Sequence, residues 1–296
     1  MQPQHFISDP SSDQPGGGRW VEGNPPLLAP MDNATWMSSV AFDGARAFDG
    51  VAPDLDLHAA RLVRSATVIG LKPTLGGDAI AQRMREGIAR FPTGAHLYVR
   101  PLFYAAEGFV VPKPDSTRFV LTLFESPMPE PRGFTATLAR VRRPNPDSAP
   151  TQAKASCLYP ESAVALREAR EAGFSNAVML DHMGNVAEFA SANIFIAKGG
   201  TVVTPVPNGS FLNGVTRQRV IALLRESGVK VFERTVRWHE VESADEIFSS
   251  GNYAKVTPLI RLGGREVKPG PLYARARALY FDWARTLPKI EGTLRN

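Results

Sequence analysis

The segment NAVMLDHMGNVAEFASANIFIAKGGTVVTP, residues 176–205, decides the fold class of this chain. Its short apolar runs are rich in Val, Ile and Phe, which is typical of β-strands. Turn-forming residues at His182–Asn185 and at Gly199-Gly200 interrupt these runs, so the segment predicts three short strands. Glu188 lies at the edge of one apolar run, where a carboxylate without a partner would be costly.

Helical patterns stand on both sides of this strand segment. Residues 160–172 begin with Pro160 and end before Gly173, which is the expected order of residues at the two ends of a helix. The other predicted helices are 57–70, 78–91, 216–228 and 271–287, and further predicted strands are 96–104 and 118–125. Because strands and helices mix without strict alternation, the sequence favours an α+β fold.

A proline-rich segment, SPMPEPRG at 126–133, divides the chain. Its prolines disfavour both a helix and a central strand. We therefore predict a flexible leader over 1–20, a small N-terminal domain over 21–125, an interdomain linker over 126–137 and a large C-terminal domain over 138–296. The leader is predicted because residues 1–20 are rich in Gly, Pro, Ser and Asp.

The composition excludes several classes of protein. The 296 residues carry a net charge of +5 and a single cysteine, Cys157, which rules out an internal disulfide and a multi-cysteine metal site. The five histidines have no metal-ligand spacing, so no metal is predicted. The basic cluster at 140–143 is interpreted as a solvated strand edge, and no nucleic-acid partner is expected. With no membrane-spanning run and no signal peptide, a cytoplasmic protein that does not bind membranes is the default expectation.

Lys154 stands in TQAKASCLYP, residues 151–160, among small and apolar neighbours and with no acid before Glu161. Desolvation can free such an amine as a nucleophile, whereas a loop lysine exposed to solvent is the alternative. The chain contains no Gly-x-Ser-x-Gly elbow, no phosphate loop and no dinucleotide fingerprint. Lysine chemistry therefore remains as the candidate activity.

A lysine that forms a Schiff base with pyridoxal phosphate needs an anion for the pyridine nitrogen, a donor for the phenolic oxygen and a phosphate cup. The second half of the chain can supply these groups through Glu188, Tyr159 and the segment NGVTR at 213–217. NGVTR begins a predicted helix, and the N–H groups, the dipole and the threonine hydroxyl at that end favour an anion. SSGNYAKVTP at 249–258 is a glycine-containing turn that can add further donors.

The order and spacing of these motifs resemble the class IV aminotransferases, the fold-type IV group of pyridoxal phosphate enzymes that includes branched-chain and D-amino acid aminotransferases. The resemblance runs from about residue 35 to about residue 285. Besides the segment 176–205, it is carried by AFDGARAF, HAARLVRSA, YVRPLFY, AKASCLYP, FLNGVTR and ADEIFSSGNYAKVTPL. It implies a two-domain fold, with a smaller N-terminal α/β sandwich and a larger C-terminal mixed pseudo-barrel.

The resemblance also implies a role for each matching residue. Lys154 is the Schiff-base lysine and proton shuttle, Glu188 pairs with the pyridine nitrogen, and Tyr159 donates to the phenolic oxygen. The phosphate-binding residues are Arg61, Gly214, Val215 and Thr216. Asn252 stands where the family usually has threonine and should contact the phosphate or the substrate carboxylate. The substrate-binding residues are Phe42, Tyr98, Arg100 and Tyr253. Taken singly, Arg61 could be a surface arginine, Arg100 part of a structural ion pair and Asn193 the holder of a turn.

The resemblance implies a transaminase that moves an amino group between an amino acid and a 2-oxo acid and that works as a homodimer. Branched-chain L-amino acids are the first expectation, because the YVRP motif of the branched-chain enzymes is present at 98–101. The chain lacks the Gly-Met-Gly-like turn of those enzymes, and Cys157 and Leu158 precede Tyr159 in place of the usual Gly-Asn. A D-amino acid or (R)-selective amine transaminase is therefore the second expectation, and an aminodeoxychorismate lyase is the third.

Overall fold

The computed structural model describes residues 1–9, 11–12 and 16–292, which fall into two compact units. The first unit takes residues 1–128, 153–157 and 284–292, and the second takes residues 129–152 and 158–283. Each unit has its own sheet and helices, so the chain has the predicted two-domain α+β fold. The first change of unit lies inside the predicted linker, whereas the return of residues 153–157 to the first unit has no signal in the sequence. Residues 293–296 of the predicted C-terminal domain lie outside the described residues.

The first unit contains the strands β1 (Gln4–Ser8), β2 (Gly18–Glu22), β3 (Val40–Phe42), β4 (Ala45–Ala47), β5 (Leu97–Ala105) and β6 (Thr117–Glu125), and the helices α1 (Asn33–Met37), α2 (Leu55–Val68) and α3 (Gly77–Ile88). The strands form one antiparallel sheet in the order β2-β1-β6-β5-β3, and β4 also pairs with β5. The predicted helices and strands of this region match α2, α3, β5 and β6 to within three residues.

Helices α2 and α3 pack on one face of this sheet. Leu62 and Met84 of the helices are fully buried in one apolar cluster with Phe103 of β5. Successive side chains of a strand point to opposite faces. Tyr98 and Arg100 are more exposed than the residues that alternate with them, so they lie on the face of β5 away from that cluster.

The flexible leader predicted over 1–20 is wrong for the residues that the structure describes. Strand β1 pairs with β2 and with β6, and Phe6 is only 2% exposed. The Phe6 ring lies 5.5 Å from the ring of Trp20 and 6.3 Å from that of Phe119. Burial of these rings and the ladder hydrogen bonds offset the low local propensity of the segment. Residues 10 and 13–15 of the predicted leader lie outside the described residues.

The second unit contains the strands β7 (Phe134–Leu138), β8 (Asn176–Leu180), β9 (Val186–Phe189), β10 (Asn193–Lys198), β11 (Thr201–Pro205), β12 (Val231–Arg234), β13 (Glu246–Gly251), β14 (Lys255–Leu262) and β15 (Arg265–Glu266), and the helices α4 (Pro160–Glu171), α5 (Val215–Glu226), α6 (Trp238–Glu242) and α7 (Pro271–Arg285). Its sheet has the order β12-β11-β10-β13-β14-β7-β8-β9, and β15 pairs with β14. The sheet is mixed, because β11–β12, β14–β7 and β7–β8 are parallel and the other pairs are antiparallel.

Residues 176–205 form four strands, so the prediction of three is wrong. β9 ends at Phe189 and pairs with β8, whereas β10 begins at Asn193 and pairs with β11 and β13. The chain bends between them, where the N–H of Phe189 donates to the carbonyl of Ala192 at 2.8 Å. The bend consists of Ala190, Ser191 and Ala192, which carry no turn signature, so the apolar run reads as continuous.

The described residues contain neither a membrane-spanning helix nor a metal-binding cluster. No helix there is both long enough and apolar enough to cross a membrane. No group of three or more His, Cys, Asp or Glu residues there is placed to hold a metal ion.

Candidate active site

Lys154 is fixed in the first unit by backbone contacts on both sides. Its N–H donates to Oγ of Ser65 at 3.0 Å, and its carbonyl accepts from the N–H of Phe42 at 3.0 Å. The next residue, Ala155, forms a β-bridge with Ala41. The ammonium of Lys154 lies 4.6 Å from the centroid of the Phe42 ring, within the range of a cation–π contact. The side chain is half-buried, so it is not the solvent-exposed loop lysine of the alternative interpretation.

The predicted substrate-binding residue Phe42 lies beside Lys154, and a second one, Arg100, lies beside Phe42. The ring of Phe42 also faces the Arg100 guanidinium, whose carbon is 4.8 Å from the ring centroid. Among the described residues, Arg100 forms no ion pair. The alternative that Arg100 belongs to a structural ion pair therefore has no support in the described part of the chain. Tyr98, two residues earlier on the same face of β5, stacks on Phe124 at 5.4 Å.

Arg61 is buried rather than exposed, and it is held by Asp43. The Asp43 carboxylate accepts from Nε of Arg61 at 2.7 Å and from Nη2 at 2.8 Å, and it contacts Nδ1 of His58 at 2.7 Å. Burial raises the pKa of Asp43, but the charges of Arg61 and His58 outweigh it and hold that pKa well below its ordinary value. The surface alternative for Arg61 is therefore wrong, and its predicted phosphate contact stays a prediction.

Glu188 lies on β9 of the second unit, with its side chain 12% exposed. Its Oε1 is 3.3 Å from Nε of Arg143, whose side chain is 7% exposed. Arg143 also donates to the Ser210 carbonyl at 3.3 Å and to Oγ of Ser162 at 3.2 Å. The prediction of a solvated basic cluster at 140–143 is thus wrong for Arg143, whose guanidinium compensates the charge of the Glu188 carboxylate.

Asn193 connects Glu188 with the start of α5. Its Nδ2 donates to Oε2 of Glu188 at 3.3 Å and to the Leu212 carbonyl at 2.9 Å. Its Oδ1 accepts from the N–H of Gly214 at 3.2 Å. The alternative of a turn-holding asparagine describes this side chain correctly, and the turn that it holds belongs to the predicted phosphate site.

The predicted phosphate-binding residues Gly214, Val215 and Thr216 form the start of α5. Gly214 is the N-cap residue in an extended conformation, and Val215 and Thr216 are buried. A Cβ on Gly214 would lie 2.2 Å from Oδ1 of Asn193, so this approach requires glycine. The first N–H groups of a helix have no partner within the helix, and the helix dipole favours an anion there.

Arg217 anchors the first turn of α5, and sequence reasoning did not single it out. Its buried guanidinium donates to Oδ1 of Asn213 at 2.8 Å, to the Pro205 carbonyl at 2.8 Å and to Glu233 at 3.0 Å. Burial lowers the pKa of Arg217, and Glu233 opposes that shift. These contacts fix the end of α5 against β11 and β12.

The turn between β13 and β14 adds donors near the start of α5. Ser250 is opposite Asn193 in the pairing of β13 with β10, so the two side chains share a face of the sheet. Among the described residues, Oγ of Ser250 and Nδ2 of Asn252 are buried without a hydrogen-bond partner. Oδ1 of Asn252 accepts from the buried Lys255 at 2.9 Å.

Tyr159 and Tyr253 are the most exposed of the predicted site residues in the second unit. Tyr159 is the N-cap residue of α4 and is 37% exposed, and Tyr253, at the tip of the β13–β14 turn, is 60% exposed. Their predicted contacts with cofactor and substrate stay predictions.

The structure thus assembles two clusters, each within one unit. The first contains Lys154, Phe42 and Arg100, and the second contains Glu188, Asn193 and the start of α5 with the β13–β14 turn. Sequence reasoning missed Asp43, Arg143, Arg217 and Lys255. For Asp43, Arg217 and Lys255 the available signal was a charged residue inside an apolar or glycine-containing motif. This signal does not identify the residue with which each charge pairs.

Residues 40–262 match the family of class IV aminotransferases. The chain therefore belongs to the class IV aminotransferases, and the predicted family and the aminotransferase activity are confirmed. The predicted cofactor, pyridoxal phosphate, is confirmed at the level of this family.

Individual relatives agree with this assignment. The branched-chain-amino-acid aminotransferase of Pseudomonas aeruginosa is 32% identical over 255 residues, which are 81% of this chain and 82% of that protein. A crystal structure of an aminotransferase from Brucella abortus bound to the cofactor PLP is 47% identical, with a TM-score of 0.91 over 96% of this chain and 100% of that one. The branched-chain amino acid aminotransferase structure from Escherichia coli is 27% identical, with a TM-score of 0.86 over 96% and 95% of the two chains.

Proposed function

We propose that this chain transfers the amino group of a branched-chain L-amino acid to a 2-oxo acid, with pyridoxal phosphate as cofactor and Lys154 as the proton shuttle. The observation that carries the proposal is the link through Asn193 between Glu188 and the start of α5. The pyridine nitrogen and the phosphate are separate groups of this cofactor, attached at different positions of one ring. The link offers a carboxylate for the nitrogen and helix N–H groups for the phosphate.

The donor set of the second unit fits a phosphate group. Within the part of the chain that the structure describes, Ser250 Oγ and Asn252 Nδ2 are buried donors without an acceptor, which a folded protein rarely leaves unsatisfied. Gly214 carries no Cβ, which lets Oδ1 of Asn193 approach the start of α5 and accept from its N–H. A phosphate supplies several acceptor oxygens and negative charge for these donors.

When bound, pyridoxal phosphate supplies a carbonyl carbon that takes up amino groups and a ring that accepts electrons from the substrate Cα. Lys154 would hold that carbon through Nζ between turnovers and, once displaced by the substrate amine, would take the Cα proton and deliver it to the cofactor carbon. Glu188 keeps a proton on the ring nitrogen, and Arg143 and Asn193 hold the carboxylate in place. Tyr159 donates to the phenolic oxygen, and Arg61 contributes to phosphate binding. The amino acid and the 2-oxo acid react in turn with the same residues.

The substrate-binding part of the proposal concerns Phe42, Tyr98, Arg100 and Tyr253. Arg100 offers a cation for a substrate carboxylate, and the Phe42 ring offers an apolar surface beside Lys154. Branched-chain specificity is supported by the names of the Pseudomonas aeruginosa and Escherichia coli relatives. The D-amino acid, (R)-amine and aminodeoxychorismate alternatives would use the same lysine and differ in the donor.

The experiment is a donor screen on the purified holoprotein. L-leucine, D-alanine and (R)-1-phenylethylamine are each mixed with pyruvate or 2-oxoglutarate, and the new amino acid is measured. We expect turnover with L-leucine and little with the other two donors. Turnover only with D-alanine or only with the (R)-amine would refute the branched-chain assignment and leave the lysine chemistry intact.

Borohydride reduction tests the lysine chemistry itself. Reduction of the yellow holoprotein should attach the cofactor irreversibly to Lys154, and peptide mass spectrometry locates the adduct. The Lys154→Arg variant should give no adduct, and the matched Lys198→Arg variant, which changes an exposed lysine at the end of β10, should label like the wild type. An adduct elsewhere would contradict the role of Lys154.

Homodimer formation and a cytoplasmic location belong to the proposal as well. The homodimer is supported by the family resemblance. Sedimentation of the purified holoprotein tests the first, and cell fractionation tests the second.

A further inference from the structure

The turn between β13 and β14 contains a buried cation that the proposed function does not use. Lys255 is 1% exposed, although lysine is among the residue types that are least often buried. Its φ of 61° lies in the left-handed region, which residues other than glycine rarely adopt. Burial of an ammonium and a left-handed backbone both cost free energy, and such features concentrate at functional sites.

The contacts of Lys255 determine how the Asn252 side chain is oriented. Nζ of Lys255 lies 2.9 Å from Oδ1 of Asn252 and 5.8 Å from the centroid of the Tyr280 ring. An ammonium has three donors and no acceptor, so the amide of Asn252 must present its oxygen to it. Nδ2 therefore faces away from Lys255. This nitrogen is buried, and no described residue accepts a hydrogen bond from it.

The donor that Lys255 orients lies in the region of the proposed phosphate site. Ser250 pairs with Asn193 across the β13–β10 ladder, and Asn193 accepts from the N–H of Gly214 at the start of α5. Ser250 Oγ is likewise buried with no acceptor in the described part of the chain. Buried donors near a helix start that have no protein acceptor are well matched to an anion with several oxygens.

We propose that Lys255 is a positioning residue for phosphate binding, which fixes the Asn252 amide as a donor to the phosphate of the cofactor. The inference rests on the proposed function, since Asn252 is a phosphate contact only in that proposal. Lys255 acts through Asn252. Its ammonium also places a positive charge next to this side chain, which favours the binding of a phosphate over that of a neutral group.

The test compares pyridoxal phosphate with pyridoxal, which lacks the phosphate. Both are titrated into apoprotein prepared from the wild-type holoprotein and from the Lys255→Met variant. We expect Lys255→Met to lower the affinity for pyridoxal phosphate about tenfold to a hundredfold and to leave the affinity for pyridoxal within about twofold. The conservative Lys255→Arg variant should recover most of the phosphate preference. Lys198→Met, at an exposed lysine, is the matched control and should change neither affinity.

A double-mutant cycle separates positioning from general stabilisation. In an Asn252→Ala background, Lys255→Met should lower the preference for pyridoxal phosphate much less than it does in the wild type, because the two residues act together. If Lys255→Met does not fold, as judged by circular dichroism, Lys255→Gln takes its place. It has a similar length but can present either end of its amide to Asn252, so it should lose several-fold of the preference.

The outcomes distinguish this inference from the proposed function. A folded Lys255→Met or Lys255→Gln variant whose preference for pyridoxal phosphate over pyridoxal equals that of the wild type overturns the inference alone. An equal loss of affinity for both ligands also overturns it, because that loss indicates a structural role. Failure of the wild-type protein to bind pyridoxal phosphate overturns the proposed function and the inference together.

Discussion

Asp43 in the first unit is a buried carboxylate, whereas Glu188 in the second is partly exposed and has different surroundings. The Asp43 side chain is completely buried and makes contacts of 2.7 to 2.8 Å with Arg61 and His58. The Glu188 side chain is 12% exposed, and its contacts with Arg143 and Asn193 are both 3.3 Å long. Charge-assisted hydrogen bonds are normally about 2.7–2.9 Å, so Arg143 and Asn193 hold Glu188 less tightly than Arg61 and His58 hold Asp43.

The comparison indicates that Asp43 stabilises the fold, whereas Glu188 can bind a ligand. Short bonds to two fixed cationic partners commit the oxygens of Asp43 to α2, which carries Arg61 and His58. The longer contacts with Arg143 and Asn193 fix the direction of the Glu188 carboxylate. Substitutions of each carboxylate and of the residues around it test this contrast.

The largest expected effect is on stability, from Asp43→Ala. The substitution leaves the buried Arg61 without its carboxylate, and breaking one side of a buried ion pair costs about 3–5 kcal/mol. Urea denaturation should show a loss in the free energy of unfolding of this size. The matched control is Asp115→Ala, which breaks the exposed pair with Lys72 and should have little measurable effect. A wild-type midpoint for Asp43→Ala would contradict this reading of the pair.

The next effect is on catalysis, from Glu188→Gln. The amide keeps the size of the side chain but cannot hold a proton on a pyridine nitrogen. We expect kcat/KM to fall about a hundredfold to a thousandfold, equivalent to about 3–4 kcal/mol, with a small change in the unfolding midpoint. Steady-state kinetics with L-leucine and 2-oxoglutarate measure it.

Glu233→Gln is the matched control for Glu188. Glu233 also contacts two arginines, Arg217 and Arg225, in the second unit. Its loss should lower the unfolding midpoint more than it lowers kcat/KM. If Glu188→Gln behaves in the same way, both carboxylates are structural, and the assignment of Glu188 to the ring nitrogen is wrong.

Local patterns in the sequence predicted the positions of Glu188 and of the start of α5 well. Glu188 stands out as a charge beside an apolar run, and NGVTR stands out as a glycine before a helix. Each signal is contained in a few consecutive residues, the range over which propensity and periodicity act. The structure places Glu188 on β9 and Gly214 at the N-cap of α5, as these signals indicate.

The partners could not be predicted, because they are chosen by contacts between distant segments. Arg143 is one of three arginines within four residues, and only the packing of its segment against β9 buries this one. The pairing of Asp43 with Arg61 depends on how α2 meets β3 and β4. Strand β1 was missed for the same reason, since it acquires its structure by pairing with β6, which begins at Thr117.

A smaller effect is expected from Gly214→Ala, which disturbs the link between Glu188 and α5. The new Cβ would lie 2.2 Å from Oδ1 of Asn193, a side chain that is held from three directions. Overpacking of this kind costs about 1–3 kcal/mol, and we expect a roughly tenfold weaker affinity for pyridoxal phosphate. Gly264→Ala is the control, because no atom lies within 4 Å of its added Cβ. Equal affinities in the two variants would show that Asn193 can move without consequence.

The smallest effect is the pH dependence that Asp43 contributes to stability. Its pKa in the folded protein lies well below the ordinary value of 3.8, so its stabilisation is fully present above that value and is lost as the pH falls below it. Between pH 7 and pH 3 the loss is about 1 kcal/mol, because only the first part of the titration is reached. The stability difference between wild type and Asp43→Asn, measured by urea denaturation, should therefore narrow by about this amount at pH 3. A constant or widening difference would mean that the carboxylate is not held in its charged form by Arg61 and His58, and the contrast with Glu188 would then lose its basis.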